Sequence, residues 1–147
     1  MNLFFTILAF LIGILLPIQV GVNVELARYI NSPILAAFIS FLVGAFCLIV
    51  IAFVVKSPFP TLGQVMIVPS WTLAGGLIGA SVVFASIVAG PNIGALALVS
   101  LLLAGQLLGS VLIDHYGWLG FDVQKMDFQR LFGIVLLVGG FLLIRKY

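Results

Sequence analysis

Charge is what this sequence has least of. Four acids and six bases are spread over 147 residues, 7% of the chain, against 64% hydrophobic residues, and the mean hydropathy is +1.40. A water-soluble domain carries roughly a quarter of its residues charged, so that class is excluded. Cysteine is almost as scarce. Cys47 stands alone inside an apolar run, which excludes an internal disulfide and any multi-cysteine metal site. His115 is the single histidine, and no paired acids, metal-ligand cluster or nucleophile with its base occurs at membrane depth, so neither an intramembrane enzyme nor a metal or other cofactor is expected. The basic residues are scattered singly and the net charge is only +2, which gives nucleic acid no footprint. No Lys or Arg precedes Arg28, so the N-terminus lacks the positive region of a secretory signal and is expected to stay in the mature protein.

What the chain has is apolar length. Uncharged runs cover residues 1–24, 29–55, 57–113 and 131–144. A bilayer core of roughly 30 Å takes about 20 helical residues. As one helix the third run would reach about 85 Å, so it must turn back on itself. The expected fold is all-α, a single transmembrane domain over residues 1–147 with five helices at about 3–27, 34–55, 70–89, 92–113 and 128–144. Pro17 should bend the first helix by removing one backbone donor, and Asn31-Ser32-Pro33 should end it. "KSPFPTLGQVMIVP", Lys56 to Pro69, reads as an interfacial loop with room for a short amphipathic piece. Ser70 is placed to cap the third helix, with Trp71 at the interface. "GPNIG", Gly90 to Gly94, is the expected break, with Asn92 capping the fourth helix. "DHYGWLGFDVQKMD", Asp114 to Asp127, is the longest polar connection. The fifth helix is short, so Arg130, Arg145 and Lys146 are expected to snorkel to the headgroups at its ends.

Five spans put the termini on opposite sides. Lys56, Lys125 and Arg130 fall on one side and Arg28, Arg145 and Lys146 on the other. Three against three gives the insertion machinery no instruction, because orientation follows the Lys and Arg excess. Chance balance is one explanation. The other is dual topology, with copies inserted both ways and paired antiparallel. Such a homodimer makes from one short chain the ten-helix inverted repeat that many secondary transporters carry around a midplane site.

"QVGVNVELA", "SFLVGAF", "WTLAGGLIGASVVFAS" and "PNIGALALVSLLLAGQLLGSVLIDHYGWLG" together resemble the YdcZ-like family of small five-helix proteins in the drug/metabolite transporter superfamily. The resemblance spans nearly the whole chain, and the last block is its most specific part. It implies a bacterial inner-membrane protein, often of balanced or paired topology, that acts as an antiparallel dimer or as a fused ten-helix form, in a family whose substrates are mostly unassigned.

The polar residues inside the apolar runs are the site candidates. Gln19 and Asn23 are four apart on one face of the first helix, and amides in a bilayer need partners across helices or in a wet cavity. Glu25 points about 200° away from Asn23 and lies roughly 33 Å along the helix from Leu3, within pairing reach of Arg28. An interfacial ion pair and a coupling carboxylate are both open to it. The small multidrug exporters of the same superfamily carry a deeply embedded first-helix glutamate, a pattern this chain does not match. Gln106, Ser110 and Asp114 form an i, i+4, i+8 stripe, with Gln106 at mid-span. Asp114 and His115, at the exit of that helix, suit a solvated helix end or a gate. Ser40 is compatible with helix glue or with a pocket, and Trp71 with an interface anchor or a pocket mouth. Gly75 with Gly79, and Gly105 with Gly109, give small-xxx-small spacing for close helix approach.

The expected function is a small-molecule transporter or exporter subunit with Gln19, Asn23 and Gln106 lining a midplane cavity. Neutral amides favour a neutral, zwitterionic or amphiphilic substrate. A passive channel and a non-transporting structural partner are the alternatives. The implied partners are the bilayer, a small-molecule substrate and a second, inverted copy.

Overall fold

The computed structural model of the chain describes residues 2–146, without the side chains of Phe141 and of residues 144–146. The expected snorkelling of Arg145 and Lys146 therefore lies outside the described residues. Every regular element among those residues is helical.

Helix α1, Leu3–Ile30, begins where the Asn2 side chain accepts the Phe4 N–H at 3.1 Å. It runs on through Pro17 and ends three residues later than expected, at Asn31, whose backbone takes the left-handed conformation with φ 52°. The stop and the next start share one tripeptide. Ser32 caps α2, Pro33–Val54, by accepting the Leu35 N–H at 3.3 Å, and Pro33 opens the first turn, where no donor is needed. The 28 residues of α1 reach about 42 Å, longer than a hydrocarbon core of roughly 30 Å.

The loop after α2 holds the short helix α3, Leu62–Met66, closed by a capping box between Thr61 and Gln64. A 3-10 turn, Ser70–Leu73, then leads into α4, Ala74–Ile93. Two sequence expectations need correcting here. Ser70 does not cap: it is the first residue of the 3-10 turn, and the Thr72 hydroxyl donates to the Pro69 carbonyl at 2.7 Å. Asn92 does not cap the following helix either, because α4 continues through Pro91 and the Asn92 side chain donates back to the Val88 carbonyl at 2.7 Å. The break falls at Gly94, whose φ of +83° is open to glycine and strained for other residues.

Helix α5, Ala95–Tyr116, ends at Gly117 in the left-handed conformation, and its last turn takes in Asp114 and His115. After a 3-10 turn at Trp118–Gly120 the chain enters α6, Phe128–Lys146, where Asp127 accepts the Arg130 N–H at 2.8 Å. By length and composition four helical stretches are long and apolar enough to cross a membrane: Leu3–Ile30, Pro33–Val54, Ser70–Ile93 and Ala95–Tyr116. Phe128–Gly140 is a shorter apolar stretch.

The chain divides into two compact units, Met1–Asn92 and Ile93–Tyr147. In the first, α1 packs on α2. Its buried cluster is Ala27, Ala36, Ala37 and Ile87, flanked by Val24, Leu26, Ile30 and Val83. Three alanines let backbones approach closely, as helix packing in a bilayer favours. In the second unit α5 packs on α6.

Candidate functional site

Helical spacing puts Gln19 and Asn23 one turn apart, and packing then separates them. Asn23 is 4% exposed, one turn before buried Ala27, whereas Gln19 is exposed. The Asn23 carboxamide enters none of the side-chain hydrogen bonds among the described residues, yet none of their fully sealed side-chain nitrogens and oxygens lacks a partner. The amide thus keeps a sliver of accessible surface. A primary amide has two donors and an acceptor, and leaving them unbonded against apolar helices is costly. Buried Ser86 is satisfied differently, its hydroxyl donating to the Val82 carbonyl of its own helix at 2.7 Å. Ser40, on α2, is half-buried.

Glu25 and Arg28 form a salt bridge of 3.1 Å with side-chain exposures of 54% and 68%. Both side chains are exposed in the protomer. The pair lies in the last turns of α1.

In the second unit Gln106 is exposed near the middle of α5. Ser110 is exposed and donates to the Gln106 carbonyl at 2.7 Å, so its hydroxyl is already engaged. Asp114 lies 3.6 Å from the Arg130 guanidinium. Sequence reading assigned Arg130 to the headgroups and missed this pair. The available signal was an acid at the end of one helix and a base at the start of the next. Arg130 also donates to the Gln124 carbonyl at 3.3 Å and to the Gln124 side chain, while Nδ1 of His115 accepts the Met126 N–H at 3.3 Å. Trp71 is 62% exposed in its 3-10 turn.

Each unit also has an apolar groove. In the first, about 420 Å³ lies between α2 and α4, lined by Phe38, Phe41 and Phe84 with Ala37, Ala80 and Ser81. The second has about 180 Å³ between α5 and α6, where Ser100 is the polar lining residue. Neither groove reaches an amide. Of the four spaced glycines, Gly79 faces the Phe41 ring, which a Cβ there would meet at 3.7 Å. A Cβ at Gly75, Gly105 or Gly109 would meet nothing within 4 Å in its own unit. Among the described residues no group of three or more His, Cys, Asp or Glu is placed to hold a metal.

Apolar helices with isolated amides, and polar groups gathered at helix ends, are the pattern of a membrane protein. The sequence profile of the family described as "Putative inner membrane exporter, YdcZ" matches residues 4–143. The chain belongs to the YdcZ family. A curated relative is the inner membrane protein YdcZ of Escherichia coli (strain K12), 32% identical over 142 residues that cover 95% of each chain. No solved structure matches the chain. Membership places the isolated amides in a membrane protein of exporter type. The motif blocks from "QVGVNVELA" to "DHYGWLG" fall within the matched span.

Proposed function

We propose that this protein is a transporter subunit of the bacterial inner membrane that crosses the bilayer five times and works as an antiparallel homodimer by alternating access. One observation carries the proposal. Gln19 and Gln106 are each exposed on their own unit within long apolar helices. In hydrocarbon an unpaired amide costs about 2–7 kcal/mol, so a polar group or a wet cavity from outside that unit must meet it. A second, inverted copy supplies symmetric counterparts, and the balance of three basic residues against three permits its insertion.

Gln19, Asn23 and Gln106 of each copy then line the substrate path, with Ser40, Trp71 and Ser110 near it. Amides offer donors and acceptors without charge, which suits a neutral, zwitterionic or amphiphilic solute. Glu25 serves as an interfacial pair with Arg28 rather than as a deep proton carrier. Thermal-shift screening against metabolites and amphiphilic drugs, followed by liposome flux of each hit, tests the function. Saturable flux is expected. Combined Gln19→Ala, Asn23→Ala and Gln106→Ala should lower it at least about tenfold, three polar contacts at about 1 kcal/mol each. Flux that rises linearly with concentration would instead identify a pore, and flux unchanged in the triple variant would remove these amides from the path.

A further inference from the structure

The connection from α5 to α6 is tied back onto the end of α5, and one of its ties depends on protonation. The Gln124 N–H donates to the Asp114 carbonyl at 2.7 Å. Arg130 holds the Gln124 carbonyl and side chain and lies 3.6 Å from the Asp114 carboxylate. Gly117, with φ +65°, turns the chain so tightly that the Val123 side chain fills the space where a Cβ would stand. A guanidinium keeps its charge at any physiological pH, and a backbone bond has no proton to lose. His115 differs. Its Nδ1 accepts the Met126 N–H at 3.3 Å, which requires Nδ1 to be unprotonated, whereas an imidazolium donates from both nitrogens.

We propose that His115 is a pH-sensitive clasp on the α5–α6 connection, closed while the imidazole is neutral and released on protonation, when two donors would face each other across the same gap. Histidine is the side chain that changes charge between about pH 5 and 8. The titratable and charged groups on the segments around it are Asp114 and Tyr116 on α5, Asp122, Lys125 and Asp127 on the connection, and Arg130 at the start of α6. Three of these are acids, opposite in charge to an imidazolium. The Tyr116 ring meets the imidazole edge-on at 4.9 Å and stacks on Trp118 at 5.0 Å, so a turn of the imidazole bears directly on the aromatic end of the connection. The clasp lies within one unit and needs neither a substrate nor a second copy.

Hydrogen exchange of residues 121–126 in the purified full chain tests it, at about pH 8 and about pH 5.5, after correction for the intrinsic pH dependence of exchange. Wild-type protection should fall about three- to tenfold at the lower pH, the worth of one hydrogen bond. His115→Asn places an amide that can accept without titrating, and should keep its protection at both values. His115→Ala should show the low protection at both. Wild-type protection that does not change with pH, a His115→Asn variant that loses protection as the wild type does, or a His115→Ala variant protected like wild type at pH 8, would each overturn the clasp.

Discussion

Asn23 and Gln19 carry the same functional group one helical turn apart, and their surroundings make them different. Asn23 is buried to 4% exposure beside the alanine-rich contact of α1 and α2, while Gln19 is open on its unit. Glu25, by composition the most conspicuous residue of the first helix, is held by Arg28 in an exposed pair. Gly117 is the residue on which local stability depends most visibly. Its φ of +65° is costly for an L residue, and a Cβ would stand 2.6 Å from Val123 Cγ2 and 3.3 Å from the Phe121 carbonyl oxygen. Gly117→Ala is expected to destabilise the protein by about 1–3 kcal/mol, read as a lower thermal midpoint. Adding Val123→Ala should recover only part of that loss, because it relieves the side-chain clash and leaves the backbone strain.

At the scale of the element, apolar length and turn chemistry placed the helices, and their ends moved where a local bond outweighed composition. Asn31-Ser32-Pro33 acts as its residue types suggest, as stop, cap and first turn. Gly90-Pro91-Asn92 does not: α4 continues through Pro91, and the positive φ of Gly94 is where it ends. Glycine spacing identified candidate contact faces without saying which of them are used. Gly79 meets Phe41, whereas Gly105 and Gly109 present an open face of α5 within their unit. If that face packs against another copy, Gly105→Leu and Gly109→Leu should leave the helical content and thermal midpoint of the protein near wild type and reduce cross-linking between copies about tenfold, the effect of losing roughly 1–2 kcal/mol of helix contact. Unchanged cross-linking would place the interface elsewhere.

The whole molecule is where the proposed dimer stands or falls. Six basic residues divided equally predict that C-terminal reporters report on both sides of the membrane in comparable amounts. Adding two lysines to the Lys56–Pro69 loop should then drive nearly all copies into one orientation and suppress transport when that variant is expressed alone. Co-expression with an oppositely biased variant should restore it. A wild-type reporter found on one side only would reject dual topology.

The membrane class, the helical class, the family and the identity of the isolated amides were all legible in the sequence, because hydropathy and spacing are properties of the linear chain. Which amide is buried, which acid meets Arg130, and where α4 stops were not. Spacing of about 100° per residue says which side chains share a face, but a face becomes buried only when another helix covers it, and that contact joins residues distant in the chain. The tertiary structure alone decided that Asn23 is the buried amide, that Asp114 is paired, and that His115 reaches eleven residues forward to hold Met126.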